Sequence, residues 1–393
     1  MAEFIQEDEA LAKYCQRHMG ADLIGFDTEF VREKTYYPKL EVVQIIVEDE
    51  IAIVDCQAIR DASPMWDLLC HPDSRKVLHS GLQDMEIMLQ ESGRLPAPIF
   101  DTQIAASLLG YGSQCGYSRL VYQILGKKVP KGETFSDWSH RPLHKDQLIY
   151  AEKDVEHLPE IYGNLVDQLK KRGRLSWIDE ECCHLSEEAT HFREPPETCY
   201  KRVKGRNSLD STSLSVLRSL SKWREITAQE KNLPPGRILR DHLLLSIAKG
   251  RPKSLDQLKR QRGMHSGDIS RFGNDILHAV QEGERLAETD PIELSPSLRT
   301  KIPEDAEAIL KLLSAVLRIE AEKADVAPTV VATSEDLRQL VGGFSAGNLQ
   351  GHPLLEGWRR ELAGDRLLSV LEGKVLLRFN PKKMSIVLEE SHG

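Results

Sequence analysis

The sequence predicts an α/β domain with a mixed sheet and helices on both faces, followed by two all-α helical domains. Strand and helix signals alternate over residues 20 to 175, which is typical of an α/β domain. From about residue 208 the strand signals stop, and apolar residues recur at three- or four-residue spacing. The predicted boundaries are residues 1–193 for the α/β domain, 194–207 for a proline-containing linker, 208–290 for the first helical domain and 291–393 for the second.

The α/β domain opens with three short β-rich runs at residues 23–30, 42–48 and 51–56. Only a few residues separate the last two runs, so they are expected to form an antiparallel hairpin. The later predicted elements are helices near 65–69, 82–90, 101–110 and 117–125, strands at 75–80 and before Phe100, and one long helix from about 144 to 172. Antiparallel strands followed by strand–helix alternation predict a mixed sheet.

The helical half contains a predicted repeat. When Pro235 is set against Pro328, Ile247 matches Leu340 and Gly250 matches Gly343. This similarity predicts two related helical domains of about ninety residues, although two unrelated amphipathic helices can also resemble each other by chance.

Composition limits the class of protein. The chain has 393 residues and a net charge of −9, which argues against wholesale electrostatic binding to nucleic acid. Basic runs at 201–206 and 251–262 nevertheless predict either a local RNA-binding surface or a solvated face. No apolar run approaches the roughly 18 residues that span a membrane, and the acidic N-terminus does not resemble a signal peptide. The seven cysteines are expected to be free thiols in a reducing cytosol, so the predicted location is cytoplasmic.

Two carboxylates interrupt the first apolar strand. Asp27 and Glu29 are at i and i+2, so they project from the same face of the strand and repel each other. Such a pair needs a cation, which is either a nearby side chain such as Arg32 or Lys34 or a hard divalent metal ion.

Two later positions add chemically similar groups. Asp84 follows a predicted strand, near the start of a helix, where α/β sites gather. Tyr150 and Asp154 are at i and i+4, on one helical face. Taken alone, Asp84 is also consistent with a first-turn acid that the helix dipole favours, and Tyr150 with a core tyrosine beside a surface acid.

Together these residues resemble the DEDD superfamily of 3′-to-5′ exonucleases in its tyrosine variant. The histidine variant carries His five residues before the last Asp, where this chain has Ile149. The stretches FDTEF, HSGLQDMEI, FDTQIAASLLGYG, SDWSHRPL and YAEKDVEHL are similar to the ribonuclease D family, and the helical half resembles paired HRDC domains. One departure is Ser80, where many superfamily members have Asn.

The resemblance implies a ribonuclease H-like fold and hydrolysis with two divalent ions, Mg²⁺ or Mn²⁺, without an organic cofactor. It implies that Asp27, Glu29 and Asp154 surround one ion, that Asp84 holds the other, and that Tyr150 orients the attacking water. The implied reaction releases nucleoside 5′-monophosphates from the 3′ ends of structured RNA such as transfer RNA precursors. The implied protein acts as a monomer and away from membranes.

Several residues are candidates for binding the substrate, each with a structural alternative. His79 is consistent with a hydrogen-bonded core histidine, and Trp138 with a packed loop anchor. The remaining candidates are consistent with solvated charges; they are His140, Arg141, Lys127, Lys128 and Lys131. Two rival functions stay open from the residues alone: a 3′-to-5′ DNA exonuclease with the same chemistry, and a non-catalytic RNA-binding protein.

Overall fold

The computed structural model describes residues 2–129, 137–191, 195–292 and 306–391. The chain divides into two compact units. The first comprises residues 1–29, 42–189 and 299–393, and the second comprises residues 30–41 and 190–298.

The N-terminal half alternates strands and helices, as the sequence predicts. In chain order the elements are β1 (Glu3–Ile5), α1 (Asp8–His18), β2 (Leu23–Val31), β3 (Lys39–Val47), β4 (Glu50–Asp55), α2 (Ser63–Leu69), β5 (Arg75–Leu78), α3 (Leu82–Ser92), β6 (Ile99–Asp101), α4 (Thr102–Leu108), α5 (Tyr117–Leu125), α6 (Lys145–Val155), α7 (Leu158–Lys171) and α8 (Leu175–Thr190). Helix α5 has the predicted bounds, whereas β1, α1 and α8 were not predicted.

Six of these strands form one sheet in the order β1-β4-β3-β2-β5-β6. Strands β3 and β4 form the predicted antiparallel hairpin, with Val42 opposite Asp55 and Val47 opposite Glu50. Strand β5 runs parallel to both β2 and β6, so the sheet is mixed, and that prediction is confirmed. Residues 40–47 of β3 are buried without interruption. Because alternate residues of a strand face opposite sides, other elements cover both faces of the sheet at β3.

The single long helix predicted from about 144 to 172 is wrong, because the structure contains two helices there. Helix α6 ends at Val155 and α7 begins at Leu158, with Pro159 in its first turn. A proline inside a continuous helix would lack the N–H for the bond to the fourth residue before it, and its ring would clash with that residue's carbonyl. In the first turn of a new helix neither problem arises, so the break comes just before Pro159.

The second unit is helical over most of its length. Its helices are α9 (Ser211–Lys231), α10 (Pro235–Ile238), α11 (Asp241–Gly250), α12 (Leu255–Lys259) and α13 (Ser266–Thr289). Leu217, Leu220 and Ile276 are among the fully buried residues of its core. The segment predicted as a linker adds Cys199 and Val203 to the buried residues of this unit, through a 3₁₀ helix at Pro196–Arg202.

The C-terminal segment repeats the same order of helices. Its elements are α14 (Ala306–Lys323), α15 (Pro328–Val331), α16 (Ser334–Ala346), α17 (Gly357–Arg359), α18 (Asp365–Leu371), β7 (Val375–Asn380) and β8 (Ser385–Glu390). Both α10 and α15 are four-residue helices that begin with proline and follow a long helix. The aligned prolines Pro235 and Pro328 therefore occupy the same place in two similar chain paths.

The prediction that the C-terminal domain is all-α is wrong, because β7 and β8 form an antiparallel hairpin. Leu377 faces Leu388 and Phe379 faces Ile386, so apolar residues alternate along both strands. The side chain of Asn380 closes the turn by accepting hydrogen bonds from the backbone N–H groups of Lys382 and Lys383. Alternation of this kind is the period of a strand, and the turn chemistry lets the two strands pair.

Candidate active site

Three carboxylates converge from two elements of the first unit. Asp27 and Glu29 lie on β2, and Asp154 lies on α6. One oxygen from each carboxylate lies within 4.8 Å of the other two. Tyr150 lies one helical turn before Asp154 on α6, so its hydroxyl hydrogen-bonds with that carboxylate. The strand and the helix thus bring together residues that are more than a hundred positions apart in the chain.

Asp84 lies beside this group, in the first turn of α3, and is buried. Its Oδ1 accepts a hydrogen bond from the hydroxyl of Thr28, the residue between Asp27 and Glu29 on β2. Asp84 is not part of the set of three whose oxygens lie within 4.8 Å of one another. The four acids therefore divide geometrically into three close carboxylates and one that is tied to the same strand through Thr28.

Burial and mutual repulsion make these acids hard to ionise. Burial, together with the charges of Asp84, Asp154 and Glu29, raises the pKa of Asp27 well above its usual range. The same two causes, burial first, raise the pKa of Glu29 to about 8. Burial raises the pKa of Asp154 to about 7 and that of Asp84 to about 6, although hydrogen bonds from Tyr150 and Thr28 respectively oppose the rise. Each value reflects a carboxylate without a neighbouring positive charge.

The donor set fits hard divalent cations. Within the described residues, none of the four carboxylates forms an ion pair with a lysine or arginine. Carboxylate oxygens are the ligands that Mg²⁺ and Mn²⁺ prefer, and buried carboxylates are stable as anions only beside a compensating charge. The alternative that the sequence left open, a cationic side chain as the partner of Asp27 and Glu29, is absent from this part of the structure.

The hydroxyl of Tyr150 remains protonated at neutral pH. Burial, followed by the charges of Asp154 and Glu29, raises the pKa of Tyr150 above its ordinary value of 10. A phenol in this state donates a hydrogen bond and is a poor general base.

The substrate-binding candidates lie in varied surroundings. Trp138 is only 4% exposed and packs with Val42, Leu143 and Ala151 in a core cluster. Its ring lies 6.2 Å from that of Tyr150, measured between centroids. Arg141 forms an ion pair with Asp55, with Nη2 2.7 Å from Oδ1. Trp138 and Arg141 therefore anchor the loop around them.

No hydrogen bond or ion pair joins any of the other described candidates to the four acids. The ring of His79 bonds through Nδ1 to the hydroxyl of Thr102 at 2.9 Å, and burial lowers the pKa of His79. His140 is exposed and its ring stacks on that of His144. Lys127 forms an ion pair with Glu160 at 2.6 Å. Lys128 is exposed, and Lys131 lies outside the described residues.

Two residues that support the site were not predicted from the sequence. Thr28 bonds to Asp84, and its place inside the D-T-E triplet was the available signal. Asp101 accepts a hydrogen bond from the backbone N–H of Gly81 at 2.8 Å and caps the N-terminus of α4. It therefore fixes the turn that leads into α3 and Asp84. Ser80, in the same turn, has a φ of +60°, a conformation in which Asn is enriched among non-glycine residues.

Comparisons with known proteins match both halves of the chain. Residues 2–170 match the 3′-5′ exonuclease family model, and residues 213–280 match that of the HRDC domain. The chain is 37% identical over 389 residues to ribonuclease D of Zymomonas mobilis, covering 98% of both chains. It is 40% identical over 375 residues to ribonuclease D of Gluconacetobacter diazotrophicus, covering 95% of this chain and 93% of that one.

A solved structure extends the similarity to three dimensions. Escherichia coli RNase D, described as an exoribonuclease involved in structured RNA processing, matches with a TM-score of 0.85 and 29% sequence identity. The match covers 95% of this chain and 99% of that one. Similarity over nearly the full length of several relatives shows the family, so this chain belongs to the ribonuclease D family and is a 3′–5′ exoribonuclease.

Proposed function

We propose that four carboxylates hold two divalent metal ions, Mg²⁺ or Mn²⁺, with Asp27, Glu29 and Asp154 around one ion and Asp84 at the other. The observation that carries this proposal is the set of three half-buried carboxylates with oxygens within 4.8 Å of one another. When bound, such cations supply Lewis-acid stabilisation of a phosphate and increase the acidity of a nearby water. The negative charge of the acids then becomes the source of metal affinity.

Tyr150 and Thr28 have separate roles in this proposal. Tyr150 orients the attacking water through its hydroxyl. Because the pKa of Tyr150 is raised, the hydroxyl keeps its proton at neutral pH and cannot act as a general base. Thr28 fixes the carboxylate of Asp84 by donating to its Oδ1. Hydrolysis at the terminal phosphodiester releases nucleoside 5′-monophosphates one at a time.

We infer that the substrates are the 3′ ends of structured RNA, with transfer RNA precursors as the leading class. The description of Escherichia coli RNase D as acting in structured RNA processing supports this inference. Binding of the RNA is assigned to the HRDC domain at residues 213–280 and to the nearby basic runs at 201–206 and 251–262. In the first of these runs Lys201 and Lys204 are exposed.

We propose that residues 306–391 are a second, diverged HRDC-like domain. The repeated order of a long helix, a short proline-led helix and a further helix supports it.

We further propose that the protein acts as a monomer in the cytoplasm. All seven cysteines are free thiols, which is consistent with a reducing compartment. In the described part of the chain no helix has the length and apolar character needed to cross a membrane.

The decisive experiment compares the wild-type chain with Asp154→Asn on 3′-labelled RNA, with Mg²⁺, with Mn²⁺ and with chelator. We expect Asp154→Asn to lose at least about 100-fold in rate, because one ligand of the metal site is removed. Asp146→Asn is the matched control, since Asp146 is an exposed acid on the same helix. Near-wild-type activity of Asp154→Asn would refute the metal assignment.

The same assay separates the rival functions. A matched DNA oligonucleotide degraded as fast as the RNA would favour the DNA exonuclease, for which the four acids would serve equally well. Binding of RNA without release of mononucleotides in Mn²⁺ would favour the non-catalytic alternative.

A further inference from the structure

A buried glutamine in the central strand β3 has no visible partner. Gln44 is fully buried, and neither Nε2 nor Oε1 of its side chain has a hydrogen-bond partner among the described residues. Burying an amide without hydrogen bonds costs free energy, so such groups in native proteins call for an explanation. An apolar side chain of similar size would fill the same space without that cost.

The sheet places Gln44 beside the acids. Strands β2 and β3 are neighbours, and only residues 32–38 connect them. A parallel pair needs a crossover of a dozen or more residues, so β2 and β3 run antiparallel. A Cβ on Gly25 would lie 2.5 Å from Cγ2 of Ile46, so these two residues are directly opposite and share a face.

The register then follows by counting along both strands. Asp27 is two residues after Gly25, and Gln44 is two residues before Ile46. Because the strands are antiparallel, Asp27 and Gln44 are therefore cross-strand partners on the same face. The next pair on that face is Glu29 with Val42. Val42 packs in the cluster that includes Tyr150, which agrees with this register. Cβ atoms of directly opposite residues lie about 4.5–5.5 Å apart, within reach of a side-chain hydrogen bond.

We propose that Gln44 is a positioning residue that donates a hydrogen bond from Nε2 to the ionised carboxylate of Asp27 in the metal-loaded site. This inference rests on the proposed metal site. A carboxylate that coordinates a metal through one oxygen needs a donor for its remaining lone pairs, and such supporting bonds orient the ligand. Gln44 is a donor on the neighbouring strand with no competing partner among the described residues, and its complete burial keeps it from touching the substrate.

The test measures metal binding without RNA and without turnover. Mn²⁺ is titrated by calorimetry into the full chain carrying Gln44→Met or Gln44→Leu, both of which keep the volume and remove the donor. We expect Mn²⁺ affinity to fall about 10- to 100-fold, as it does when ligand-supporting hydrogen bonds are removed elsewhere. The melting temperature in chelator should stay equal or rise, because an unpaired buried amide has been replaced by an apolar group.

Ile45→Met is the matched control, since Ile45 is buried on the opposite face of the same strand. It should change Mn²⁺ affinity by less than about twofold. Hydrolysis should also distinguish the Gln44 variants from this control. In the Gln44 variants, the Mn²⁺ concentration that gives the half-maximal rate should rise, while the rate at saturating Mn²⁺ should change far less. A purely structural glutamine would alter the melting temperature and leave Mn²⁺ affinity alone.

Wild-type Mn²⁺ affinity in both Gln44 variants would overturn the inference. Failure of the proposed function gives a different result, in which the wild-type chain binds no Mn²⁺ or Asp154→Asn binds it as well as the wild type. That result would also remove the basis for the role of Gln44.

Discussion

Asp27, Glu29 and Asp154 are held close together by the fold even though their charges repel. Strand β2 fixes the first two on one face, and the third comes from α6. Without a cation the folded chain tolerates them by retaining protons that an unfolded chain would release. The site is therefore a source of instability that a metal ion can relieve.

This instability has a definite pH dependence. The pKa of Glu29 rises from 4.5 to about 8 on folding, and that of Asp154 rises from 3.8 to about 7. A raised acid pKa contributes stability that is fully present below the unfolded pKa and is lost as pH rises through the folded pKa. We expect the melting temperature of the metal-free chain to fall between about pH 4 and pH 8. Thermal unfolding in chelator checks this, and Asp154→Asn should show a shallower decline. An identical decline in that variant would contradict the prediction.

Lys76 is the opposite case, a buried cation with its partners in place. It is fully buried on β5, and its Nζ donates to the carbonyl oxygens of His71, Ser74 and Ala97, each at 2.5 Å. Lys76→Met would leave three carbonyls without this donor, and we expect a loss of about 3 kcal/mol in the free energy of unfolding. Urea denaturation measures it, with the exposed Lys13→Met as a control that should stay within about 0.5 kcal/mol. A loss below 1 kcal/mol would contradict this structural role.

At the scale of elements, hydrophobic periodicity predicted most helices and strands. Helix α5 and the β3–β4 hairpin were found where the local pattern indicated them. The errors came where one residue overrode the pattern, as at Pro159 between α6 and α7, or where a strand pattern lay in a region that otherwise reads as helical, as at β7 and β8. Local patterns define the type of an element better than its ends.

Helix α8, which was not predicted, has a clear packing partner within the first unit. The ring of Trp177 stacks on that of Trp358 with centroids 4.7 Å apart, and Trp358 Nε1 donates to Glu181 at 2.9 Å. Arg359 forms an ion pair with the same glutamate. The C-terminal segment is therefore attached to the α/β part through two stacked aromatic rings and a shared carboxylate.

We expect Trp358→Ala to lower the free energy of unfolding by about 3–5 kcal/mol, because it removes the stacked ring and leaves Glu181 without one donor. Thermal unfolding and limited proteolysis of the C-terminal segment provide the measurement. Arg360→Ala is the matched control, since its ion pair with Asp365 is exposed. If Trp358→Ala were as stable as that control, the interface would be unimportant for stability.

For the whole molecule, a net charge of −9 hides an uneven distribution of charge. The basic run at residues 201–206 lies in the second unit, which also carries the match to the HRDC domain. Long-range attraction of RNA to a chain that is acidic overall requires such local surfaces.

We expect the double variant Lys201→Gln/Lys204→Gln to weaken binding of RNA with a single-stranded 3′ end. The slope of log affinity against log salt concentration should decrease by about one to two, since each phosphate contact contributes about 0.7 on a single strand. Lys170→Gln/Lys171→Gln, at the end of α7, removes the same charge from another exposed place. Equal slopes for the two double variants would show that RNA does not contact residues 201–206 specifically.

The sequence by itself determined the chemistry and the local structure. The order of Asp27, Glu29, Asp84, Tyr150 and Asp154 was enough to indicate the family, because strand and helix periods define which side chains share a face. The spacing of prolines and glycines likewise predicted a helical repeat.

Only the tertiary structure decided which partner each polar side chain has. Trp138 and Arg141 read equally well as RNA contacts, yet one is packed in the core and the other is paired with Asp55. The bond from Thr28 to Asp84 and the place of Gln44 opposite Asp27 were equally hidden. The physical reason is the same in each case. Hydrogen bonds, ion pairs and burial depend on distances between residues that are far apart in the chain, and these distances exist only once the sheet and its helices have packed together.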